Sequence, residues 1–314
     1  MRRLIGDIGG TNARFALVDA DGLPAELKIL QVADYPGLVE AAQAYLAGRH
    51  VDEAVIAVAT PVEGDAIRFT NAPWSFSVRE ARDRLGLAGL AVINDFVAQA
   101  LAVPHLLPGE REQIGRGEPL PDRPMGVIGP GTGLGVSALV GPSGAKAALP
   151  TEGGHASLAP GTPRELAMLG RMLARFGHVS KERALSGPGL LNMARALAEV
   201  DGVTLAATTP EAVTRQARDG SCPVCRKAVA TFSALLGSAA GDLALAYGAR
   251  GGIYLAGGLC LSLGDLFDRA AFRRRFEDKG RLYNYVRDIP TFLVLHPYPA
   301  IVGAARQLEQ MERL

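Results

Sequence analysis

Apolar residues along this chain gather into short runs broken by glycine, and the first two runs set the pattern. Residues 3–8 and 13–19 are largely apolar, and the polar Gly-Gly-Thr-Asn of residues 9–12 lies between them. That order predicts a hairpin in which the turn, rather than the strands, holds the polar residues. After it, Leu38, Ala42, Tyr45 and Leu46 stand at helical spacing, which predicts a helix starting near Asp34 and Pro36. A buried strand is predicted over residues 54–59, stopped by Pro61. Another, over 90–93, ends abruptly in Asn94-Asp95, and a helix then runs to Pro104.

Residues 104–123 are rich in proline, glycine and charge, the composition of an inter-domain passage. Beyond them the hairpin pattern returns. Residues 125–129 and 134–140 flank the turn Gly129-Pro-Gly-Thr-Gly133. Two halves of this kind would each offer a glycine-rich turn to one ligand. The rest is more helical, with helices predicted near 162–176, 189–200, 210–218, 223–247 and 271–279. Strands are predicted at 252–256 and 292–296, and a last helix from Ile301 to the C-terminus. Mixed strands and helices with polar groups at strand ends predict an α/β fold.

Length and charge narrow the possibilities. A chain of 314 residues exceeds what one core usually serves, since single cores stop growing at roughly 250–300 residues. Two domains are expected. The 33 basic and 32 acidic residues leave a net charge of +1, which provides no field for nucleic acid or an anionic membrane. The opening MRRLIGDIGG breaks its apolar run too early for a signal peptide. No segment is read as approaching the ~20 apolar residues that cross a bilayer. Three cysteines give no disulfide framework in a chain this size, so a reduced, cytoplasmic protein is expected.

Five constellations carry candidate chemistry. In Gly6-Asp-Ile-Gly-Gly-Thr-Asn12, glycine lets backbone N–H groups approach phosphate oxygens, and Thr11 adds a hydroxyl. Asp7 beside such a nest makes sense if Mg²⁺ lies between it and the phosphates; an ordinary tight hairpin is the other reading. Gly129-Pro-Gly-Thr-Gly-Leu-Gly135 repeats the theme. Neither loop has the G-x-G-x-x-G spacing, and the chain has no Gly-Lys dipeptide for a P-loop. Asn94-Asp95 at a strand end offers a carboxylate ionised at neutral pH that can take a proton from a hydroxyl, or else a helix cap. Glu152-Gly-Gly-His155 is a tight polar loop suited to sugar hydroxyls, with a surface turn as the other reading. Glu182 precedes the turn at Ser186–Gly189, and reads either as a ligand group or as a solvated charge. Cys222-Pro-Val-Cys225 reads as a pair of structural thiols at a helix start, and Trp74 in residues 70–76 reads as packing.

Taken in order, these motifs, with Ala256-Gly-Gly258, resemble the bacterial glucokinase family over essentially the whole chain. The resemblance implies an actin-like (RNase H-like) two-domain ATPase fold, with mixed sheets flanked by helices and a central cleft for ATP and Mg²⁺. It implies a small domain of residues 1–105 plus 297–314 and a large domain of 106–296, in a homodimer. It assigns Asn94, Asp95, Glu152, His155 and Glu182 to glucose, with Asp95 as catalytic base. It assigns Gly6, Asp7, Gly9, Gly10, Thr11 and Asn12, and Gly131, Thr132 and Gly133, to the phosphates. Asp7 would meet Mg²⁺ through water, and Ser186, Gly187, Gly257 and Gly258 would lie near the adenosine. The related ROK kinases carry a cysteine-rich zinc motif that this chain lacks, so no structural zinc is expected.

The activity implied is phosphorylation of glucose at O6 by ATP. A kinase for mannose or fructose stays open, because the residues do not rank epimers. A non-catalytic sugar sensor or a chaperone-like ATPase is disfavoured: no helix-turn-helix or peptide-binding domain is expected in a chain whose first strand starts at residue 3 and whose last element is a helix.

Overall fold

A computed structural model describes residues 2–19, 21–69, 72–142 and 145–311. The chain begins with β1 (Arg3–Ile8), β2 (Asn12–Val18), β3 (Pro24–Gln31), α1 (Leu38–Leu46), β4 (Glu53–Val58), β5 (Ala66–Arg68) and β6 (Ser75–Ser77). It continues through α2 (Val78–Leu85), β7 (Gly89–Asn94), α3 (Asp95–Ala102), β8 (Arg111–Ile114), β9 (Met125–Pro130), β10 (Leu134–Val140) and β11 (Ala147–Thr151). Then follow α4 (Pro163–Phe176), α5 (Gly187–Asp201), α6 (Pro210–Arg218), α7 (Pro223–Tyr247), β12 (Ile253–Leu255) and α8 (Gly258–Leu263). The last elements are α9 (Arg269–Glu277), α10 (Tyr283–Val286), β13 (Thr291–Val294) and α11 (Pro299–Met311). Contacts divide the chain into two compact units. The first is Met1–Leu107 with Ala147–Pro150 and His296–Leu314; the second is Pro108–Lys146 with Thr151–Leu295.

In the first unit a five-stranded sheet runs β3-β2-β1-β4-β7. The β1–β2 and β2–β3 pairs are antiparallel, whereas β1, β4 and β7 are parallel. Alternate residues of β1 point to opposite faces. Leu4 and Ile8 join Phe15, Ile56 and the α1 residues Leu38 and Tyr45 on one side, while Ile5 joins Val55, Ile301 and Ala304 on the other. Gly6 is in β1 itself. A Cβ there would stand 2.8 Å from Ile56 Cδ1 and 3.2 Å from the Phe15 ring, so its bareness serves core packing. Trp74 is buried and donates its indole N–H to the Tyr35 carbonyl at 2.9 Å; Thr70 and Asn71 beside it lie outside the described residues.

The six-stranded sheet of the second unit runs β11-β10-β9-β12-β13-β8, with residues 147–150 of edge strand β11 grouped with the first unit. Again a hairpin, β9–β10, precedes a strand, β12, that pairs parallel with its first member. The recurrence expected between the two halves is therefore present in strand order. Helix α7 forms the core of this unit, packed by α5, α6 and α9. Its Gly237 and Gly241 face the carbonyls of Phe272 and Phe276, and a Cβ at either would collide with them. Glycine within a helix costs about 1 kcal/mol relative to alanine, and here it admits a neighbouring backbone.

Most predicted elements appear with ends moved by one or two residues. Several expectations need correction. The passage 104–123 contains an element of its own, because Arg111–Ile114 forms β8 along the edge of the second sheet, antiparallel to β13. An edge strand pairs on one side only and tolerates charge, so it reads as loop. The helix expected from residue 34 begins at Leu38: residues 32–34 close a separate single turn and Gly37 precedes the helix. Strands β3, β5, β6 and β11 and helices α2, α8 and α10 were not predicted. Residues 312–314 of the last helix lie outside the described residues. Among the described residues one segment does have the length and apolarity of a membrane span: α7, whose 25 residues include a long apolar window. Two thirds of that window is buried inside the protein (67%), and the helix serves as a core helix.

Candidate functional site

The parallel strands of the first unit end in register, with Ile8 opposite Val58 and Val58 opposite Asn94. Their C-terminal ends bring the turn after β1 and the Asn94-Asp95 pair to one edge, two inter-strand spacings, or about 10 Å, apart. Ligands of α/β sheets bind at such edges.

Within this edge, Asn94 caps α3. Its Oδ1 accepts the Phe96 N–H at 2.8 Å and the Val97 N–H at 3.4 Å, and its Nδ2 donates to the Thr60 carbonyl at 3.2 Å. Asp95 is the first helical residue, half-buried, with Oδ1 accepting the Phe96 N–H at 3.0 Å. The capping position thus falls to Asn94 and not to Asp95.

The turn of residues 9–11 is closed by Gly9 N–H donating to the Asn12 carbonyl at 2.9 Å. Gly10 and Thr11 are exposed, and Asn12 Oδ1 accepts from Gln31 at 2.9 Å. Neither Gly9 nor Gly10 has a left-handed backbone. A Cβ at Gly9 would meet only the Asn12 carbonyl, at an ordinary 3.7 Å. Neither backbone conformation nor a close neighbour requires glycine at Gly9.

Asp7 sits across the hairpin from Arg14, whose Nη1 donates to Asp7 Oδ2 at 3.0 Å. The Tyr298 ring covers the Arg14 guanidinium at 5.6 Å. Burial raises the pKa of Asp7 above its ordinary value, and Arg14 only partly offsets this. A carboxylate left short of positive charge suits a nearby divalent cation. Among the described residues no group of three or more His, Cys, Asp or Glu side chains could hold a metal directly. Asp7 would be the carboxylate to meet a Mg²⁺ held mainly by other ligands. Arg14 belongs to this arrangement although its role was not predicted; the signal was its position opposite Asp7 across the hairpin.

In the second unit four motif segments converge. The turn after β9 is closed by Gly131 N–H donating to the Gly133 carbonyl at 2.8 Å, and Thr132 at its tip is exposed. The Gly187 N–H reaches the Gly131 carbonyl at 2.8 Å. Glu182 Oε2 accepts the Leu134 N–H at 2.9 Å, while its own N–H donates to the Gly154 carbonyl at 2.9 Å. Ser186 caps α5 through the Gly189 N–H at 3.0 Å and donates its hydroxyl to the Glu182 carbonyl at 2.8 Å. Gly257, in a left-handed conformation (φ 79°), leaves no room for a side chain against the Pro130 carbonyl, 2.6 Å from where a Cβ would stand. Gly258 opens α8 beside it.

Glu152 and His155 flank a single helical turn, with His155 Nε2 3.8 Å from Glu152 Oε2 and both side chains 60% exposed. Gly154 presses against the Leu134 carbonyl so closely that no Cβ fits. Thr151, not predicted, anchors the loop: its Oγ1 donates to the Val136 carbonyl at 3.0 Å and accepts the Gly153 N–H at 3.3 Å. The predicted residues therefore form two groups. Gly6, Asp7, Gly9, Gly10, Thr11, Asn12, Asn94 and Asp95 belong to the first unit; Gly131, Thr132, Gly133, Glu152, His155, Glu182, Ser186, Gly187, Gly257 and Gly258 belong to the second. Gly6 stands apart within its group, in a strand rather than a turn.

Residues 4–311 match the glucokinase family. A glucokinase of Aromatoleum aromaticum is 50% identical over 314 residues, covering 98% of this chain and 94% of that protein. The crystal structure of a glucokinase from an Antarctic psychrotroph aligns with a TM-score of 0.90 at 36% identity, covering 98% of this chain and 99% of the other. A ROK family glucokinase from Streptomyces griseus, solved with glucose and AMPPNP, aligns with a TM-score of 0.64 at 21% identity, covering 98% and 99%. That last likeness speaks for the fold alone, the actin-like fold of the sugar kinases.

Proposed function

This chain belongs to the glucokinase family, and we propose that it transfers the γ-phosphoryl group of ATP to the 6-hydroxyl of glucose with Asp95 as the base. The observation that carries the residue-level reading is the shared strand edge, on which Asn94 takes the helix cap and Asp95 follows it. Asp95 orients the sugar hydroxyl and accepts its proton as the oxygen attacks phosphorus. Asn94, Glu152, His155 and Glu182 hold the remaining hydroxyls, since carboxylates accept from them and an amide or imidazole can also donate. The turns at residues 9–12 and 131–133 offer backbone amides to the phosphates. Ser186, Gly187, Gly257 and Gly258 attend the adenosine, a reading supported by the bond of Gly187 to the Gly131 carbonyl and the close packing of Gly257 on the Pro130 carbonyl. Magnesium bound with the nucleotide would neutralise phosphate charge, with Asp7 as its carboxylate neighbour through water. Phosphoryl transfer is mostly positioning and charge stabilisation, so these groups matter as much as the base.

The same reading extends to organisation. Residues 1–105 with 297–314 form the small lobe and 106–296 the large one, supported by the grouping of contacts. The protein works in the cytoplasm as a homodimer; three free thiols suit a reducing compartment, and sedimentation velocity measures the assembly. ADP release measured over a panel of hexoses, with and without Mg²⁺, tests the activity. The expected result is release that needs both glucose and the divalent ion. Faster turnover of mannose or fructose than of glucose would replace the substrate, and ADP release independent of any sugar would overturn the reading.

A further inference from the structure

The carboxylate of Glu182 touches the backbone of the glycine turn as well as facing its own loop. Its Oε2 accepts the Leu134 N–H at 2.9 Å, at the point where the turn passes into β10. A Cβ at Gly133 would stand 2.6 Å from that oxygen and 3.5 Å from Cδ. The carboxylate therefore occupies the space a side chain at position 133 would take. Gly133 has no left-handed backbone, so the glutamate, rather than chain conformation, explains the glycine.

Two backbone hydrogen bonds also hold the turn. Within it Gly131 N–H meets the Gly133 carbonyl at 2.8 Å, and from outside Gly187 N–H meets the Gly131 carbonyl at 2.8 Å. Glu182 governs the outside contacts at both ends, because its carbonyl accepts the Ser186 hydroxyl at 2.8 Å just before Gly187. Its N–H, donating to Gly154, ties the same residue to the loop of Glu152 and His155. One residue thus joins the segment read as holding sugar to the segment read as holding phosphate.

We infer that Glu182 is a positioning residue that couples the two substrates: a sugar hydroxyl on its carboxylate fixes the turn for the nucleotide, and the nucleotide-bound turn fixes the carboxylate for the sugar. The inference rests on the kinase reading above. A carboxylate has two oxygens and about four lone-pair directions, so an amide and a hydroxyl can share it. Ordering the flexible side chain once serves both ligands, and such coupling is reciprocal by thermodynamic necessity.

Isothermal titration calorimetry of glucose, and of a non-hydrolysable ATP analogue with Mg²⁺, each alone and with the other saturating, tests this on four proteins: wild type, Glu182→Gln, Gly133→Ala and Gly131→Ala. In wild type each ligand is expected to tighten the other by the same factor, on the order of tenfold. Gly133→Ala pushes the carboxylate off the turn, and it should weaken glucose binding several-fold even with no nucleotide present. A clash with phosphate could not produce that result. Gly131→Ala adds the same carbon where nothing lies within 4 Å, and its affinity for glucose alone should match wild type. Glu182→Gln keeps an acceptor but loses charge, and its coupling factor should fall below wild type. Thermal unfolding of each variant checks the fold. Wild-type affinity for glucose alone in Gly133→Ala, or undiminished coupling in Glu182→Gln, overturns the inference while leaving the kinase reading intact. A wild type that binds no glucose removes the kinase reading itself.

Discussion

Gly303 on α11 lies against the carbonyl of Ala98 on α3 with no space for a methyl group between the helices. That contact sets the height of α3, whose first residue is Asp95. We expect Gly303→Ala to force the helices apart. Overpacking of this kind costs about 1–3 kcal/mol, and the displacement should reach Asp95. Misplacing a reacting group by an ångström can slow turnover on the order of a hundredfold. Calorimetric unfolding and kcat measured together check this; an unchanged kcat in a folded variant would show that α3 is held elsewhere.

Asn94 and Asp95 are adjacent but should fail differently. Asp95→Asn should lower kcat by roughly 10²–10⁴ as the base is lost, with glucose still binding. Asn94→Ala removes the acceptor for two helix amides. It should lower stability by about 0.5–2 kcal/mol, besides whatever it does to the sugar. Denaturant unfolding and single-turnover rates separate the two. If Asp95→Asn retained more than a tenth of wild-type turnover, Asp95 would not be the base.

Helices α4 and α9 are joined by a pair from which water is largely excluded. Arg275 donates Nη1 to Glu165 Oε1 at 2.8 Å and Nη2 to Oε2 at 3.1 Å, with side-chain exposures of 14% and 8%. Gly161 N–H also donates to Glu165 Oε2, at 2.6 Å. Removing one partner from such a pair costs about 3–5 kcal/mol because the other charge is stranded. We expect Glu165→Ala to be strongly destabilising, and adding Arg275→Met to recover much of the loss. Urea denaturation of the single and double variants decides it.

The three thiols should differ in reactivity. Burial pushes the Cys260 thiol up to about 12. The Cys225 thiol is pushed up to about 12 by burial and by the neighbouring Cys222. At pH 8 the thiolate fraction of either is roughly one in ten thousand, and the thiolate is the nucleophile. A maleimide should therefore modify native protein at half-buried Cys222 alone. The sign of the stability effect follows: unfolded thiols ionise from about 9, folded ones only near 12, so the unfolded state loses protons first. Stability should fall as pH rises above 9, and Cys260→Ala should flatten that fall.

The middle strands of both sheets were legible, and of the edge strands only β7 was. Hairpins announce themselves because glycine interrupts apolar runs, and the strand before Asn94 is apolar until it stops. The caps at Ser186 and Asp268 set helix starts that apolar spacing left one or two residues in doubt. By contrast, β3 exposes most of its residues and β8 is charged. Neither carries the burial pattern that marks a strand, because each gains its place from the strand it pairs with. Helix α7 has the length and apolarity of a membrane span, which was not expected, because burial in a core and burial in lipid select the same residues.

Local chemistry was written in the chain: which residues are nucleophilic, acidic or bare, in what order, and on which turns and strand ends. That is enough to identify the family, since turn geometry and side-chain type depend on neighbours in sequence. Distances between segments were not. Arg14 over Asp7, the Glu182 carboxylate on the Leu134 amide and the bare contact of Gly303 with Ala98 each join residues whose proximity depends on strand pairing or helix packing. Such contacts arise only when the core closes, because hydrophobic burial fixes where segments meet while remaining indifferent to which polar groups it brings together.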